Sequence, residues 1–327
     1  MKYWRILLLV LLAGGLATSA SAEEVVVYTS VDRMFSEPIL QKFEKDTGIK
    51  VLAMYDVEAS KTVGLVNRLI AEKRRPRADV FWNSEVIRTI QLLKEDVLTP
   101  YKSVYYDDFP ATFKDKDGYW TGFAGRARVL LINATMIQER DLPPSILDFT
   151  KPEWKGKVTI AYPLFGTTAM HVAALYDYIG TEKTEAYLKG LAANDVLVVD
   201  GNSVTRDLVV QGKVPVGFTD TDDAQVAIDK GDPVQMIFPD STGMGTLLIP
   251  NTVMMIKGAP HPETGKKLID YLLSPETEKA LQEGESAQIP LRKGSSPPGF
   301  KAMEVDYAKV AGYLEPSAKF CQEIFMR

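Results

Sequence analysis

Short apolar runs alternate with longer amphipathic stretches through the first third of the chain. The run Val-Val-Val-Tyr-Thr at residues 25–29 is rich in β-branched side chains, which predicts a buried parallel strand. Phe35, Ile39 and Phe43 then recur at helical spacing, and Gly48 is typical of a helix end. Strands alternating with helices predict a doubly wound α/β architecture. The predicted strands cover residues 25–29, 49–54 and 79–82, and the predicted helices cover residues 35–45, 63–74 and 85–95.

The middle of the chain has a second alternation of the same kind. Apolar strands at 127–132 and 252–256 stand on either side of it. We therefore expect two lobes, with residues 128–249 as a lobe inserted between residues 23–127 and 250–327, which form the other lobe. The inner segments are strands at 157–161 and 214–218 and helices at 167–179 and 182–192, and further helices are predicted at 263–273, 275–285 and 304–325.

The first 22 residues have the pattern of a secretory signal peptide. Lys2 and Arg5 precede an apolar run at residues 6–16, and small residues follow up to Ala22, where we expect cleavage. The apolar run is about half of the roughly 20 residues that a membrane span needs. We therefore expect an exported, soluble protein of the periplasm.

Charge and cysteine content exclude several classes of protein. The chain has a net charge of −5, which becomes −7 once Lys2 and Arg5 are removed with the signal peptide. An acidic balance argues against a nucleic-acid partner or an anionic membrane surface, because basic patches bind both. Cys321 is the only cysteine, so the chain forms no internal disulfide and no multi-cysteine metal site.

The sequence lacks the short motifs of the common hydrolases. It has no G-x-S-x-G, no H-E-x-x-H, no P-loop and no C-x-x-C. His171 and His261 are the only histidines, and neither has a partner at metal-ligand spacing. We expect a binding protein and no enzyme. An exported hydrolase that uses acidic residues remains the alternative.

The acidic segment FTDTDDA follows a predicted strand and carries Asp220, Asp222 and Asp223. Ligands in open α/β sheets bind beyond the carboxyl ends of strands, so these side chains are candidates for a binding cleft. Three carboxylates in four residues repel one another unless a cation or hydrogen-bond donors lie nearby. In the alternative interpretation, Asp220 caps the following helix and its neighbours complement the helix dipole.

A second set of residues suits an anionic group. Gly166, Thr167 and Thr168 open a predicted helix whose exposed amides would bind an anion, although an ordinary threonine N-cap explains the same pattern. A guanidinium on the crossing strand could reach the cleft, or could form a structural ion pair. An aromatic residue at the end of a strand either packs on an organic ligand or fills the core. Arg126 and Arg128 lie on the crossing strand, and Trp82 and Asn83 end a strand. Asn202, which precedes another helix, is a further candidate.

An ordered set of motifs resembles the periplasmic ferric-iron-binding proteins. Those proteins belong to the family 1 extracellular solute-binding proteins of ABC importers. The match runs in order over almost the whole chain after residue 22. Its motifs are YTS (28–30), FEKDTGIKV (43–51), ADVFWNSE (78–85), GRARVLLIN (125–133), PEWKGKV (152–158), NS (202–203), QGKVPVGFTDTDDA (211–224) and IKGAPHPETGKKLIDYLLS (256–274).

The resemblance implies a type II periplasmic-binding-protein fold, in which two α/β lobes are joined by crossing hinge strands. It also implies a ligand held in the cleft between the lobes, closure about the crossing strands, and a membrane permease as partner. We expect the protein to be a monomer. No resident cofactor is required. The family further implies an optional metal ion with a synergistic anion, which the turn matching Gly166-Thr167-Thr168 would hold.

The sequence departs from the family pattern at each protein ligand of iron. Asp222 and Asp223 match the two iron-binding tyrosines, and Asp32 matches the histidine. The family's glutamate falls at Ser84, with Glu85 one step away. The metal ligands implied by the match are thus Asp32, Glu85, Asp222 and Asp223. Carboxylates suit a hard cation or an amine. The resemblance favours Fe(III) or another hard cation with an anion, and a zwitterion such as an aminophosphonate or a polyamine is the alternative.

Overall fold

The computed structural model describes residues 23–56, 63–295 and 299–325. The predicted signal peptide lies outside these residues. Within the described ranges, no helix is both long enough and apolar enough to cross a bilayer.

Strands and helices alternate along the described chain. The strands are β1 (Glu24–Thr29), β2 (Lys50–Tyr55), β3 (Val80–Asn83), β4 (Leu98–Thr99), β5 (Thr121–Asn133), β6 (Val158–Ala161), β7 (Leu197–Val199), β8 (Val216–Asp220), β9 (Val234–Ile237) and β10 (Leu248–Ile256). The α-helices are α1 (Arg33–Thr47), α2 (Val63–Ala71), α3 (Ile87–Lys94), α4 (Gly166–Tyr178), α5 (Thr181–Ala193), α6 (Asn202–Val210), α7 (Thr221–Asp229), α8 (Pro262–Leu272), α9 (Pro275–Glu283), α10 (Tyr307–Val310) and α11 (Leu314–Phe325).

The strands pair in the order β2-β1-β3-β10-β5-β8-β6-β7, with β4 added to β10 and β9 added to β5. β1 is parallel to β2 and β3, and β6 is parallel to β7 and β8. β10 and β5 are antiparallel to each other and to their other neighbours. Two parallel groups are therefore joined through one antiparallel pair.

β5 passes from one parallel group to the other. Residues Thr121 to Ala127 of this strand pair with β10, and the residues from Arg128 onward pair with β8 and β9. Every residue of β5 is buried, because both faces of the strand are covered along its whole length. The lobe boundaries at 127/128 and 249/250 remain a prediction.

The sequence pattern places most elements correctly. The helix predicted at residues 35–45 is α1, which ends at Gly48, whose φ of 72° is left-handed and whose N–H donates to the carbonyl of Glu44 at 2.9 Å. The predicted C-terminal helix at 304–325 is wrong in its extent, because α10 and a short 3-10 turn precede α11, which begins at Leu314. The helix after β8 begins at Thr221, so it already contains Asp222 and Asp223.

Candidate functional site

A small cleft, part of it open to solvent, lies where the loops after several strands meet. The loops after β1 and β3 line one side, and the loops after β6, β7 and β8 line the other, with β5 between them. This is the position that ligands take in open α/β sheets. The lining residues are Asp32, Ser84, Arg126, Ala161, Tyr162, Phe165, Gly166, Thr167, Thr168, Asp200, Gly201, Asn202, Asp220, Asp222 and Asp223.

The structure brings most of the candidate residues together at this cleft. They come from segments that are far apart in the sequence. Most of them lie at or beyond the carboxyl ends of strands that meet at the cleft, and Arg126 lies within β5. Those that line it are Asp32, Arg126, Gly166, Thr167, Thr168, Asn202, Asp220, Asp222 and Asp223. Trp82, Asn83, Glu85 and Arg128 do not line it.

Trp82 and Asn83 belong to the core. Trp82 is fully buried and lies against Phe123, with ring centroids 5.8 Å apart. The Asn83 side chain accepts a hydrogen bond from Ser30 Oγ at 2.7 Å and donates to Thr89 Oγ1 at 3.0 Å. Both residues are in β3, which lies between β1 and β10, so neighbouring strands and helices enclose it. The core-filler interpretation of Trp82 fits this position, and a ligand contact does not.

Glu85 anchors the start of α3 and does not line the cleft. Its carboxylate accepts hydrogen bonds from the backbone N–H of Ile87 at 2.6 Å and of Arg88 at 3.1 Å. Complete burial raises the pKa of Glu85 to about 7, despite the nearby charge of Arg88 and these hydrogen bonds. Ser84 is the residue of this loop that lines the cleft.

Asp220 is held in a buried hydrogen-bond network. Its Oδ1 accepts from Arg128 Nη1 at 2.7 Å, and its Oδ2 accepts from Thr167 Oγ1 at 2.6 Å and from Asn202 Nδ2 at 2.9 Å. Burial opposes ionisation, yet the charges of Arg128 and Arg126 keep the pKa of this carboxyl below its usual value. Asp220 stands at the N-cap position of α7, but its side chain makes no capping bond. The capping interpretation is therefore right about the position of Asp220 but wrong about its side chain, while Asp222 and Asp223 lie in the first turn of α7, where they complement the helix dipole.

Arg126 reaches from β5 across the cleft. Its Nη2 donates to the carbonyl of Ser84 at 2.5 Å, and its Nη1 lies 3.4 Å from Asp222 Oδ2. Its Nε is 3.9 Å from Asp220 Oδ2 and has no hydrogen-bond partner among the described residues. Burial would lower the pKa of Arg126, but the carboxylates of Asp222, Asp220 and Asp32 raise it. The guanidinium therefore stays charged inside the cleft.

The three carboxylates after β8 form a compact group. Each of Asp220, Asp222 and Asp223 offers an oxygen, and these oxygens lie within 4.8 Å of one another. Asp223 Oδ1 also lies 3.5 Å from Arg206 Nη1 on α6. Such oxygens suit a hard cation, but arginine side chains already lie against the group. The acidic side of the cleft is thus largely neutralised by the protein itself.

The start of α4 lies beside the carboxylate group, and Thr167 Oγ1 donates to Asp220 Oδ2 at 2.6 Å. Gly166 has a φ of 54°, a left-handed conformation that glycine adopts without strain. The Thr168 hydroxyl is buried and has no hydrogen-bond partner in the described part of the chain. The helix has no side-chain cap, because Phe165 occupies the N-cap position. Free amides at a helix N-terminus, together with an unsatisfied hydroxyl, suit an anionic group.

Sequence reasoning missed the aromatic wall of the cleft. Tyr162 and Phe165 line it, with ring centroids 5.9 Å apart. They lie in the loop after β6, where no periodicity marks them, and only their place beyond the carboxyl end of a strand pointed to the cleft. Arg206, which pairs with Asp223, was also missed because it lies within α6.

A family model that matches most of the chain shows which family the protein belongs to. A model of the bacterial extracellular solute-binding proteins matches residues 84–311. The chain belongs to this family. Its resemblance to the ferric-iron-binding proteins is confirmed by relatives and by solved structures.

Two curated relatives match nearly the whole chain. "Iron uptake protein A1" of Synechocystis is 27% identical over 324 residues, which cover 94% of this chain and 88% of the relative. The "Putative 2-aminoethylphosphonate-binding periplasmic protein" of Salmonella typhi is 26% identical over 308 residues, which cover 91% of this chain and 87% of the relative. The chain is thus similar to proteins that are named for different ligands.

The solved structures confirm the expected fold. The apo ferric ion-binding protein A of Pasteurella haemolytica superposes with a TM-score of 0.82 at 27% identity, covering 93% of this chain and 98% of that chain. The type II periplasmic-binding-protein fold predicted from the sequence is therefore the fold of this protein. The family consists of solute-binding proteins, so a small ligand is its expected partner.

Proposed function

We propose that this protein is the periplasmic component of an ABC importer, and that it captures a small solute in the cleft and delivers it to a membrane permease. Family membership supports this role. The site supports it as well, because the lining residues come from loops on both sides of β5, so closure would enclose a ligand. The protein acts as a monomer and releases the solute chemically unchanged.

The ligand we propose carries a cationic and an anionic group on one organic molecule, as an aminophosphonate does. The observation on which this rests is the buried Arg126 guanidinium, which lies 3.4 Å from Asp222 within the cleft. A guanidinium in that place favours an anion nearby and disfavours a bare cation. The similarity to a protein named for 2-aminoethylphosphonate supports the same class of ligand.

The two ends of such a ligand would meet different parts of the cleft. The anionic end would accept hydrogen bonds from the first amides of α4 and from Thr168, within reach of Arg126. The amine would lie near Asp32 and Asp223, which have oxygens that accept from an ammonium group. The rings of Tyr162 and Phe165 would cover the carbon chain between them. A bare metal ion would leave these rings without a function.

A second candidate is a hard cation such as Fe(III), bound together with an anion. The carboxylate oxygens of Asp220, Asp222 and Asp223, which lie within 4.8 Å of one another, favour it. The similarity to proteins named for iron uptake favours it too. Asp32 could contribute a fourth oxygen from the other side of the cleft.

Native mass spectrometry of protein purified from its own periplasm would identify a retained ligand. Calorimetry then compares 2-aminoethylphosphonate with its two halves, ethylamine and methylphosphonate, and with ferric citrate. We expect the whole zwitterion to bind more tightly than either half, because both ends are satisfied in one molecule. Tight binding of ferric citrate without binding of the zwitterion would favour the second candidate.

A further inference from the structure

Two aromatic side chains stand among the charged residues of the cleft. Of the described residues that line it, only Tyr162 and Phe165 have large apolar side chains, whereas six are aspartates or an arginine. Both aromatic residues are half-buried, and their ring centroids are 5.9 Å apart with an interplanar angle of 37°. Apolar surface that stays partly exposed in the ligand-free protein gains free energy when a ligand covers it with carbon.

The two rings are positioned by the short turn between β6 and α4. The N–H of Tyr162 donates to the carbonyl of Val199 in β7 at 2.8 Å, and the N–H of Phe165 donates to the carbonyl of Tyr162 at 3.4 Å. Pro163 lies between them and restricts the backbone further. The carbonyl of Phe165 accepts from the N–H of Ala169 in α4 at 3.1 Å. The turn is therefore bonded to a strand on one side and to a helix on the other.

Phe165 occupies a position at which phenylalanine gives the helix no local advantage. It is the N-cap residue of α4, and its side chain makes no capping bond. Ser, Thr, Asp and Asn stabilise a helix from this position, because their side-chain oxygens accept from its first amides. A residue that breaks a local rule of stability is expected where a functional site requires it. The position of Phe165 beside the cleft supplies such a requirement.

The aromatic wall and the amides at the start of α4 are consecutive in the chain. Phe165 precedes Gly166, Thr167 and Thr168, and all four residues line the cleft. An anion at these amides would therefore hold its substituent near the Phe165 ring. An anion without a carbon substituent would leave both rings exposed.

We propose that Tyr162 and Phe165 are specificity-determining residues, which make the cleft select an anion that carries a carbon chain over the same head group with a shorter chain or none. The inference rests on the proposed function, and it identifies the part of the solute that the rings recognise. The amides of α4 would bind the head group, and the aromatic wall would measure what is attached to it.

The test is a series of ligands in which the head group is constant and the carbon chain grows. Calorimetry compares methylphosphonate, ethylphosphonate and propylphosphonate. Each methylene that the rings bury should raise the affinity about fourfold, so propylphosphonate should bind the wild-type protein about fifteenfold more tightly than methylphosphonate. The phosphonate group is the same throughout, so its contacts cancel in this ratio of affinities.

Phe165→Ser removes one ring and supplies a side chain that can cap α4. The affinity ratio should fall below about fivefold, while the free energy of unfolding of the ligand-free variant, measured by urea titration, should not fall. Tyr162→Ser should lower the ratio as well, and Phe165→Leu should retain most of it because the side chain stays apolar. A purely structural role of Phe165 would instead lower the stability of Phe165→Ser and weaken all three ligands equally.

Tyr178→Ser is the matched control. Tyr178 is an exposed tyrosine at the other end of α4 and does not line the cleft, so its replacement should leave the affinity ratio unchanged. An equal fall of the ratio in this control would overturn the inference. Equal affinities of methylphosphonate and propylphosphonate for the wild-type protein would overturn it too, as would an unchanged ratio in folded Phe165→Ser or, if that variant does not fold, in Tyr162→Ser.

Failure of the proposed function has a different signature. If 2-aminoethylphosphonate bound no more tightly than ethylphosphonate, the cleft would not recognise an amine and the zwitterion would be the wrong class of ligand. A ratio that still depends on Tyr162 and Phe165 would then support the aromatic selection alone. If the wild-type protein bound none of these phosphonates, both proposals would fail.

Discussion

Asp220 and Asp223 are three residues apart but have different surroundings. Asp220 is bonded to Arg128, Thr167 and Asn202 and is almost fully buried. Asp223 is at the edge of the cleft, with Arg206 at 3.5 Å. The first side chain supports the architecture of the site, and we propose that the second contacts the ligand.

Because of this contrast, replacing each of the two aspartates by asparagine should affect different properties: stability at Asp220 and ligand affinity at Asp223. Asp220→Asn should destabilise the ligand-free protein by about 3 kcal/mol, because it leaves the buried Arg128 without a carboxylate. Asp223→Asn should change that stability by less than about 1 kcal/mol but should weaken binding of a cationic group about tenfold to a hundredfold. Urea titration measures the first quantity and calorimetry the second. Unchanged affinity in folded Asp223→Asn would contradict this assignment.

The raised pKa of Glu85 predicts that the stability of the protein depends on pH. Its pKa in the folded protein is about 7, above the value of 4.5 that it has when exposed. Between these values the unfolded chain releases the proton and the folded chain retains it, so stability falls as the pH rises from 4.5 to 7. The loss should reach about 3 kcal/mol and stay constant above pH 7.

The matched variant is Glu85→Gln, which keeps an oxygen acceptor for the N–H groups of Ile87 and Arg88. It should equal the wild type near pH 4 and exceed it at pH 8. The free energy of unfolding, measured by urea titration at several pH values, gives the difference curve. A flat difference curve would show that folding does not shift the pKa of Glu85.

At the scale of elements, the first turn of α4 contains Thr167, whose hydroxyl is bonded within the protein, and Thr168, which we propose contacts the ligand. Thr168→Val removes a hydroxyl that has no hydrogen-bond partner in the described residues, so the stability of the ligand-free protein should not fall. Affinity for an anion-bearing ligand should fall about tenfold. Calorimetry with 2-aminoethylphosphonate, or with the ligand found by mass spectrometry, measures this.

Thr167→Val is the control on the same helix turn. The Thr167 hydroxyl donates to Asp220 and lies within hydrogen-bond distance of Arg128 and Asn202. Its loss should destabilise the protein by about 1 to 3 kcal/mol, because these buried groups lose a partner. If both variants lost stability to the same extent, the distinction between the two threonines would be refuted.

The strands and helices were predictable where periodicity or turn residues marked them. The β-branched run of β1 and the Gly48 end of α1 are local signals, and the structure has both. The direction of a side chain at a strand end is not a local property. Trp82 was a candidate for the cleft, yet its ring is in the core, because β1 and β10 on either side of β3 decide which way that residue points.

The candidate site was predictable as a set of loops and not as a set of contacts. Asp220, Asp222 and Asp223 were recognised from their spacing after a strand. That Arg128 binds Asp220 while Arg126 faces Asp222 depends on the register of β5 against β8, where Arg128 pairs with Asp220. No local pattern specifies that register. Tyr162 and Phe165 were missed for the same reason, since their role arises from the meeting of separate segments.

At the scale of the whole molecule, ligand binding in the cleft should raise the stability of the folded protein. A ligand that binds only the folded protein raises the free energy of unfolding by mass action, by about 2.7 kcal/mol at a hundred times its Kd. We expect a thermal shift that grows with the logarithm of ligand concentration, and no product, because the family consists of solute-binding proteins. Differential scanning fluorimetry with 2-aminoethylphosphonate, combined with mass spectrometry of the recovered ligand, measures both.

Thr168→Val provides the internal control for this shift. Its hydroxyl lines the cleft without a bond to the described residues, so the melting temperature of the ligand-free variant should match the wild type, and the shift at a fixed ligand concentration should be smaller. A non-specific solute effect would act on both proteins equally. Equal shifts in wild type and variant would therefore place the ligand outside this cleft, and recovery of a chemically altered ligand would favour an exported hydrolase over a transport component.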